Sequence, residues 1–379
     1  MNSYEVEEPI LNSPYEEPAE HWHIEEGRLP EIRAGRRQAG YFYRDPKAPI
    51  SSGEHEARGQ WVGLTLVNLI REQMKDWHTK NYPGVTGTTL ELLKYWQREG
   101  RQHRLFFAQL EAVETIIFLN EARTDFLQGI DIPIDEISDD RRANGYNAFK
   151  RYACKMATGA GKTTVMGMLA AWSILNKVND RSDGRFSDVV LVVCPNVTIR
   201  NRLQELNPTR GEASLYRTRD LVPLHLMSDL IKGRVLMTNW HVFEPQGIQV
   251  GGVSAKVSKA GMPVRIKEKI TIGAKTTTAR GRRYLTPDEL DRQIAAGLIS
   301  ILSEERDKQG NLKKVSVESV KYVESDTAMV NRVLGKEIGG KQNILVFNDE
   351  AHHAYRIRKP EPDETEGDIF GEEGEGEEF

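Results

Sequence analysis

Met156-Ala157-Thr158-Gly159-Ala160-Gly161-Lys162-Thr163-Thr164 is the stretch on which the reading of this 379-residue chain turns. The run Tyr152–Met156 leads into it and predicts a strand. Lys162–Asn176 leaves it with helical spacing and little β-branching after its start. Glycines at 159 and 161 let backbone wrap closely around an anion where a Cβ would clash. Successive N–H groups and the positive end of the following helix would face phosphate. In such a loop Thr158, Gly159, Ala160, Gly161 and Thr164 line the cradle. Lys162 reaches the β- and γ-phosphates of ATP, and the Thr163 hydroxyl holds Mg²⁺. Met156 stands where the strict pattern has its first glycine. A helix-capping loop that merely contains Gly-Lys-Thr is the rival reading of this piece alone.

A second stretch, Ile344-Leu345-Val346-Phe347-Asn348-Asp349-Glu350-Ala351-His352, is an apolar strand ending in two acids. The carboxyl ends of parallel strands are where such sheets bind ligands. Asp349 would enter the Mg²⁺ shell, commonly through water because Mg²⁺ keeps much of its hydration. Glu350 would polarise the water that attacks the γ-phosphate. A strand followed by an acidic helix cap is the plain alternative. The order of the two motifs favours the chemical reading.

Between them Val189–Cys194 is a continuous apolar run, as in a strand buried on both faces. Val235–Thr238 is a shorter one. Strand alternating with helix predicts an α/β fold: a P-loop, RecA-like parallel sheet flanked by helices. Residues 58–80, 88–98 and 103–123 carry apolar residues at helical spacing and predict an N-terminal helical extension. Trp61, Trp77 and Trp96 read as packing residues. The expected organisation is an extended arm over 1–57, a helical region over 58–145, the ATP-binding lobe over 146–357 and an acidic tail over 358–379. The lobe carries an insertion at about 245–340.

Within the insertion, 251–283 holds nine Lys and Arg residues against the single acid Glu268. It is equally readable as a phosphate-binding surface or as a solvated β-ribbon. Thr286–Leu302 reads as a helix. The arm is punctuated by proline, yet Tyr15, Trp22, Tyr41, Phe42 and Tyr43 predict that it docks on its own core or on a partner.

Composition bounds the rest. A hydrophobic fraction of 39% and a charged fraction of 28% are those of a globular protein, and a net charge of -4 names no partner. Two distant cysteines favour a reducing compartment, and no apolar stretch is long enough to span a bilayer. A cytoplasmic protein with no membrane partner is expected.

The sequence resembles superfamily-two helicases and translocases of the DEAH-like type: Thr-Gly-Ala-Gly-Lys-Thr at 158–163, with Asp-Glu-Ala-His at 349–352 downstream. Its Asp349-Glu350-Ala351-His352-His353 and Thr238-Asn239-Trp240-His241 forms resemble the Res subunit of type III restriction enzymes, over about 100–357. That resemblance implies further roles. Phe106–Ala112 is similar to a glutamine motif in which Gln109 reads the adenine edge. Pro195, Asn196 and Arg200, with Thr238, Asn239 and His241, would touch the DNA backbone, and His352 would couple nucleotide state to DNA. Double-stranded DNA and a methyltransferase (modification) subunit are the implied partners.

Such motors hold ATP between two RecA-like lobes. No second lobe follows Glu350, so the chain is expected to be the N-terminal part of a truncated or split product, incomplete as an ATP hydrolase on its own. A non-catalytic nucleotide- or DNA-binding module and an RNA helicase lobe remain the rival readings.

Overall fold

The computed structural model describes residues 9–24, 29–43, 60–134, 142–143, 148–243, 261–273, 283–295, 299–307, 310–324, 326–338, 341 and 343–351. In chain order the strands are β1 (Glu20–His23), β2 (Glu31–Ala34), β3 (Gly40–Tyr43) and β4 (Gln60–Gly63). Helices α1 (Thr65–Thr79), α2 (Gly87–Gln97), α3 (Phe107–Glu121) and α4 (Lys162–Asn179) follow. Next come β5 (Val189–Cys194), α5 (Val197–Leu203), α6 (Leu215–Thr218), α7 (Met227–Leu230) and β6 (Arg234–Asn239). After these are β7 (Gly261–Ile272), β8 (Arg283–Leu285), α8 (Pro287–Ala295), β9 (Ile299–Arg306), β10 (Leu312–Glu324), α9 (Asp326–Ile338) and β11 (Leu345–Asn348).

The site is built on a three-stranded parallel sheet in the order β11-β5-β6. Side chains alternate between the faces of a strand, and β5 uses both. Val190, Val192 and Cys194 share a core with α4, whereas Val189 and Leu191 meet Leu334 and Ile338 of α9. That is why Val189–Cys194 can be apolar throughout. It also places α9, which falls inside the expected insertion, against the parallel sheet. The run Tyr152–Met156, expected as a strand, pairs with no strand; Tyr152 and Met156 pack on the core as irregular chain.

The sheet β8-β7-β10-β9 is a second, mostly antiparallel layer with its own small core of Ile270, Leu285, Leu290, Ile299, Val315 and Val317. The expected helix over 286–302 is cut short: α8 ends at Ala295, and Ile299 begins β9. β-Branched Ile299 and Ile301 suit a pleated surface better than a helix. The basic positions 256, 259, 275, 280 and 282 lie outside the described residues.

Helix α4 is the axle of the main core. Every residue from Val165 to Asn176 is buried, and the same cluster takes in α1, α2 and α3. The N-terminal helices therefore share one hydrophobic core with the P-loop helix. A polar knot joins them: the Glu121 carboxyl group accepts Trp172 Nε1–H at 2.6 Å, Thr89 Oγ1–H at 2.7 Å and the Thr86 backbone N–H at 2.9 Å. Asn176 Nδ2 donates to Thr89 Oγ1 at 2.9 Å. Trp77 and Trp96 are fully buried, as expected of packing residues, whereas Trp61 is half-exposed beneath Arg37.

The arm docks on its own core. β1 pairs with β2 and β3 with β4. The Phe107 N–H donates to the Pro14 carbonyl at 2.9 Å, Lys75 pairs with Glu17 at 2.7 Å, and Arg36 grips both Glu111 oxygens. Among the described residues no helix is long and apolar enough to cross a membrane. Both cysteines are free.

One consequence concerns pH. His78 Nδ1 lies 3.0 Å from Glu114 Oε2, and that hydrogen bond raises the imidazole above its ordinary 6.5, although burial opposes the shift. A raised folded-state value stabilises the protein fully below the unfolded value and is lost as pH climbs through the folded one. Because the His78 side chain is 48% exposed, the effect is small. Urea unfolding is expected to show stability falling as pH rises from the ordinary 6.5 through the raised folded value, with a shallower fall in His78→Gln. Equal slopes in the two proteins would refute the assignment.

Candidate nucleotide site

The loop before α4 has the geometry that its glycines permit. Gly159 and Gly161 adopt φ of +81° and +87°, a region open to glycine at no steric cost. Ala160 N–H donates to the Ala157 carbonyl at 3.2 Å, and Thr164 N–H to the Gly161 carbonyl at 2.9 Å. The α4 amides of Lys162 and Thr163 belong to the first turn, which has no intrahelical acceptor. They point out of the end that carries the positive half of the helix dipole.

Gln109 braces this loop from behind. It is 6% exposed. Its Oε1 accepts the Phe106 N–H at 3.0 Å, half of a capping box on α3, and its Nε2 donates to the Ala160 carbonyl at 3.0 Å. A Cβ at Gly161 would lie 2.0 Å from Gln109 Nε2. The amide expected to read adenine is thus engaged on both atoms with backbone.

The acids arrive from the sheet. β11 runs parallel to β5, and Asp349 N–H continues the ladder to the Val193 carbonyl at 2.9 Å. Asp349 is 8% exposed. Burial, then the neighbouring Glu350 charge, lifts its carboxyl above the usual range, while Lys162 and Arg202 pull it back. Glu350 adopts φ +54°, a left-handed conformation that costs a non-glycine residue about 1–3 kcal/mol and clusters at functional sites. The turn brings Glu350 Oε1 to 2.9 Å from Lys162 Nζ. Residues 188 apart in sequence thereby meet across the gap between helix N-terminus and strand end.

Among the described residues no group of three or more His, Cys, Asp or Glu gathers to hold a metal ion unaided. Mg²⁺ does not need one, since it is held by one or two carboxylates with phosphate oxygens and water. A buried carboxyl beside a second acid that reaches Lys162 at the start of α4 is a donor set that fits it.

The residues expected at DNA lie at the carboxyl ends of β5 and β6, the sheet end that also bears Asp349. Asn196 caps α5, its Oδ1 accepting the Ile199 N–H at 2.9 Å, so its side chain serves the helix. Pro195 precedes it, half-buried, and Arg200 is half-buried on α5. Thr238 and Asn239 end β6, tied to the β5 loop by the buried Cys194 thiol, whose Sγ lies 3.3 Å from the Thr238 carbonyl and 3.4 Å from Asn239 Oδ1. His241 is exposed and stacked on Trp240, centroids 3.8 Å apart. His352 lies outside the described residues. Sequence reasoning missed the tying role of Cys194 and the approach of Arg202 to Asp349; neither has a local pattern to signal it.

A glycine loop, a lysine and paired acids at the carboxyl end of a parallel sheet are the parts from which P-loop nucleotide sites are built. Residues 102–217 match the family model of the type III restriction enzyme, res subunit. The match spans Gln109, the glycine loop and the Pro195–Arg200 segment, is consistent with the N-terminal part of a superfamily-two helicase-like protein, and implies a RecA-like fold. No curated protein and no solved structure matches the chain.

Proposed function

We propose that this chain is the ATP-binding motor lobe of a DNA translocase of the restriction-enzyme type. The observation that carries the reading is the Lys162–Glu350 pair at 2.9 Å, with Asp349 buried beside it. Lys162, the loop 158–164 and the first-turn amides of α4 would hold the triphosphate. Thr163 and Asp349 would hold Mg²⁺, which when bound supplies charge neutralisation at the β- and γ-phosphates. Phosphate oxygens compete with Glu350 for Lys162. Once displaced, the Glu350 carboxylate would orient and deprotonate water at the γ-phosphate. An arginine presented to the γ-phosphate from a second lobe would complete this mechanism, since such a group contributes roughly 10³–10⁵ in rate in related systems. Double-stranded DNA would cross the ends of β5 and β6, at Arg200 and the Thr238–His241 turn. A methyltransferase subunit is the partner that the family model suggests. Helical packing of 65–121 around α4 supports counting the N-terminal region as part of the lobe.

Calorimetric titration of ATP with Mg²⁺ tests the reading. Lys162→Ala is expected to weaken binding by at least about 100-fold, the loss of charge-assisted bonds of about 1.5–3 kcal/mol each. Equal binding by the two proteins would refute it. Phosphate release in the same samples, with duplex DNA, RNA or neither, tests the choice of DNA.

A further inference from the structure

Where the arm crosses the start of α1 there is a cavity of about 410 Å³ that has no part in the nucleotide site. Arg36 and Arg37 line it from the arm, and Thr65, Asn68, Arg71 and Glu72 line it from α1. Three guanidiniums thus share one concave surface, and their pairing is incomplete. Arg36 takes both oxygens of Glu111. Arg71 comes no nearer to that carboxylate than 3.8 Å, beyond hydrogen-bond reach. Burial, then the Arg36 charge, holds the Arg71 guanidinium below its ordinary value, with Glu111 opposing. Arg37 lies over the Trp61 ring, 5.4 Å from its centroid, and pairs with no carboxylate among the described residues. Glu17, the other acid that acts on Arg36, is taken by Lys75 at 2.7 Å. We propose that this cavity binds a phosphate group, held by Arg37, Arg71 and the first-turn amides of α1.

Helix α1 supports the arginines. It has 15 residues, its N-cap Leu64 supplies no side-chain cap, and its first turn holds no acid. The amides there lack intrahelical acceptors and stand at the positive end of the helix dipole. Donors that converge from the arm, from the side of α1 and from its end suit a tetrahedral oxyanion. A planar carboxylate is satisfied by a single guanidinium fork, as Glu111 is by Arg36. The wall is fixed before any ligand arrives. Asn68 Oδ1 accepts the Ala39 N–H at 2.8 Å, and the Ala39 carbonyl accepts Asn68 Nδ2–H at 3.1 Å and the Leu64 N–H at 2.9 Å. Such preorganisation lowers the ordering cost of binding. The cavity is also separate from the glycine loop. Glu111, beside Arg71, lies two positions beyond Gln109 and so about 200° around α3. That face is opposite the one from which Gln109 reaches Ala160. A phosphate in the cavity clamps the arm to α1. Either a nucleic-acid backbone or a free phosphate can supply the group.

The test is titration of inorganic phosphate, and separately of a short labelled duplex DNA, against the full chain carrying Lys162→Ala. Three further proteins add Arg37→Gln, Arg71→Gln or Glu72→Gln to it. The shared Lys162→Ala change removes the lysine of the glycine loop, so the result is independent of the nucleotide reading. Each arginine change is expected to weaken binding by about ten-fold or more, the loss of a charge-assisted hydrogen bond. Glu72→Gln removes an acid from the cavity wall and is expected to tighten binding by about two- to five-fold, a gain that misfolding cannot mimic. Duplex binding that weakens in both arginine variants, with a salt dependence reduced by about one contact in each, assigns the phosphate to a nucleic-acid backbone. Loss of inorganic phosphate with unchanged duplex binding assigns it to a free phosphate. If neither ligand distinguishes the arginine variants from the Lys162→Ala protein, the proposal is overturned. An equal loss in all three variants, Glu72→Gln included, would make these residues merely structural and overturn it as well.

Discussion

Glu350→Gln is expected to retain ATP and to lose roughly 10²- to 10⁴-fold in phosphate release, the usual contribution of a positioned general base. The variant is isosteric, and its amide oxygen can still meet Lys162 Nζ, now 2.9 Å from the native carboxylate. What it lacks is a group able to take a proton from water. Asp349 cannot substitute. It is buried at the strand end, where its N–H continues the backbone ladder to Val193, and in the proposed mechanism it is the acid that holds Mg²⁺. Removing a charge that competes with phosphate for Lys162 should leave ATP affinity equal to the parent's or higher. Release of labelled phosphate at saturating ATP, with and without duplex DNA, reads the result directly. Unchanged turnover would mean that Glu350 serves only to park the lysine. A parallel loss of binding would mean that the pair is structural.

Loss of the buried Glu121 carboxyl should cost about 3–5 kcal/mol of folding stability, although Glu121 touches no nucleotide group. Glu121 is 3% exposed and accepts from Trp172, Thr89 and the Thr86 backbone at once. Alanine would leave these donors unmet, and a buried donor without a partner costs about 1–3 kcal/mol. A cavity adds to the penalty. Glu121→Gln keeps one acceptor but turns an NH₂ group toward the remaining donors, so an intermediate loss is expected. Urea denaturation of the three proteins gives the ranking through their midpoints. A shift in Glu121→Ala below about 1 kcal/mol would show that the knot is dispensable. Its position explains why it matters: Trp172 and Asn176 lie on the helix that begins with Lys162, and Glu121 lies on the helix that carries Gln109. The same carboxyl thus joins the elements that support the phosphate loop.

Local patterns in the chain made part of this legible. A glycine loop before an amphipathic helix, and an apolar run ending in two acids, are signals within a dozen residues, because phosphate binding by backbone amides is itself local. The continuous apolarity of Val189–Cys194 announced a strand covered on both faces, as β5 is. The aromatic content of the arm announced docking.

Other features had no local signal. Tyr152–Met156 has the composition of a strand yet joins no ladder, because strand formation depends on a neighbour's open hydrogen bonds. Thr286–Leu302 looked like one helix but divides into α8 and β9, where pairing with β10 outweighs helical propensity. The partners of Gln109, Tyr15 and Glu121 lie 51, 91 and 51 residues away. These partners are Ala160, Phe106 and Trp172. The sequence alone determined where the glycine loop, the lysine and the paired acids stand, because phosphate-binding chemistry needs fixed residue types at short spacing. Only the tertiary structure decided which groups brace the loop, because contacts between distant segments are set by shared burial and by the satisfaction of each buried polar atom.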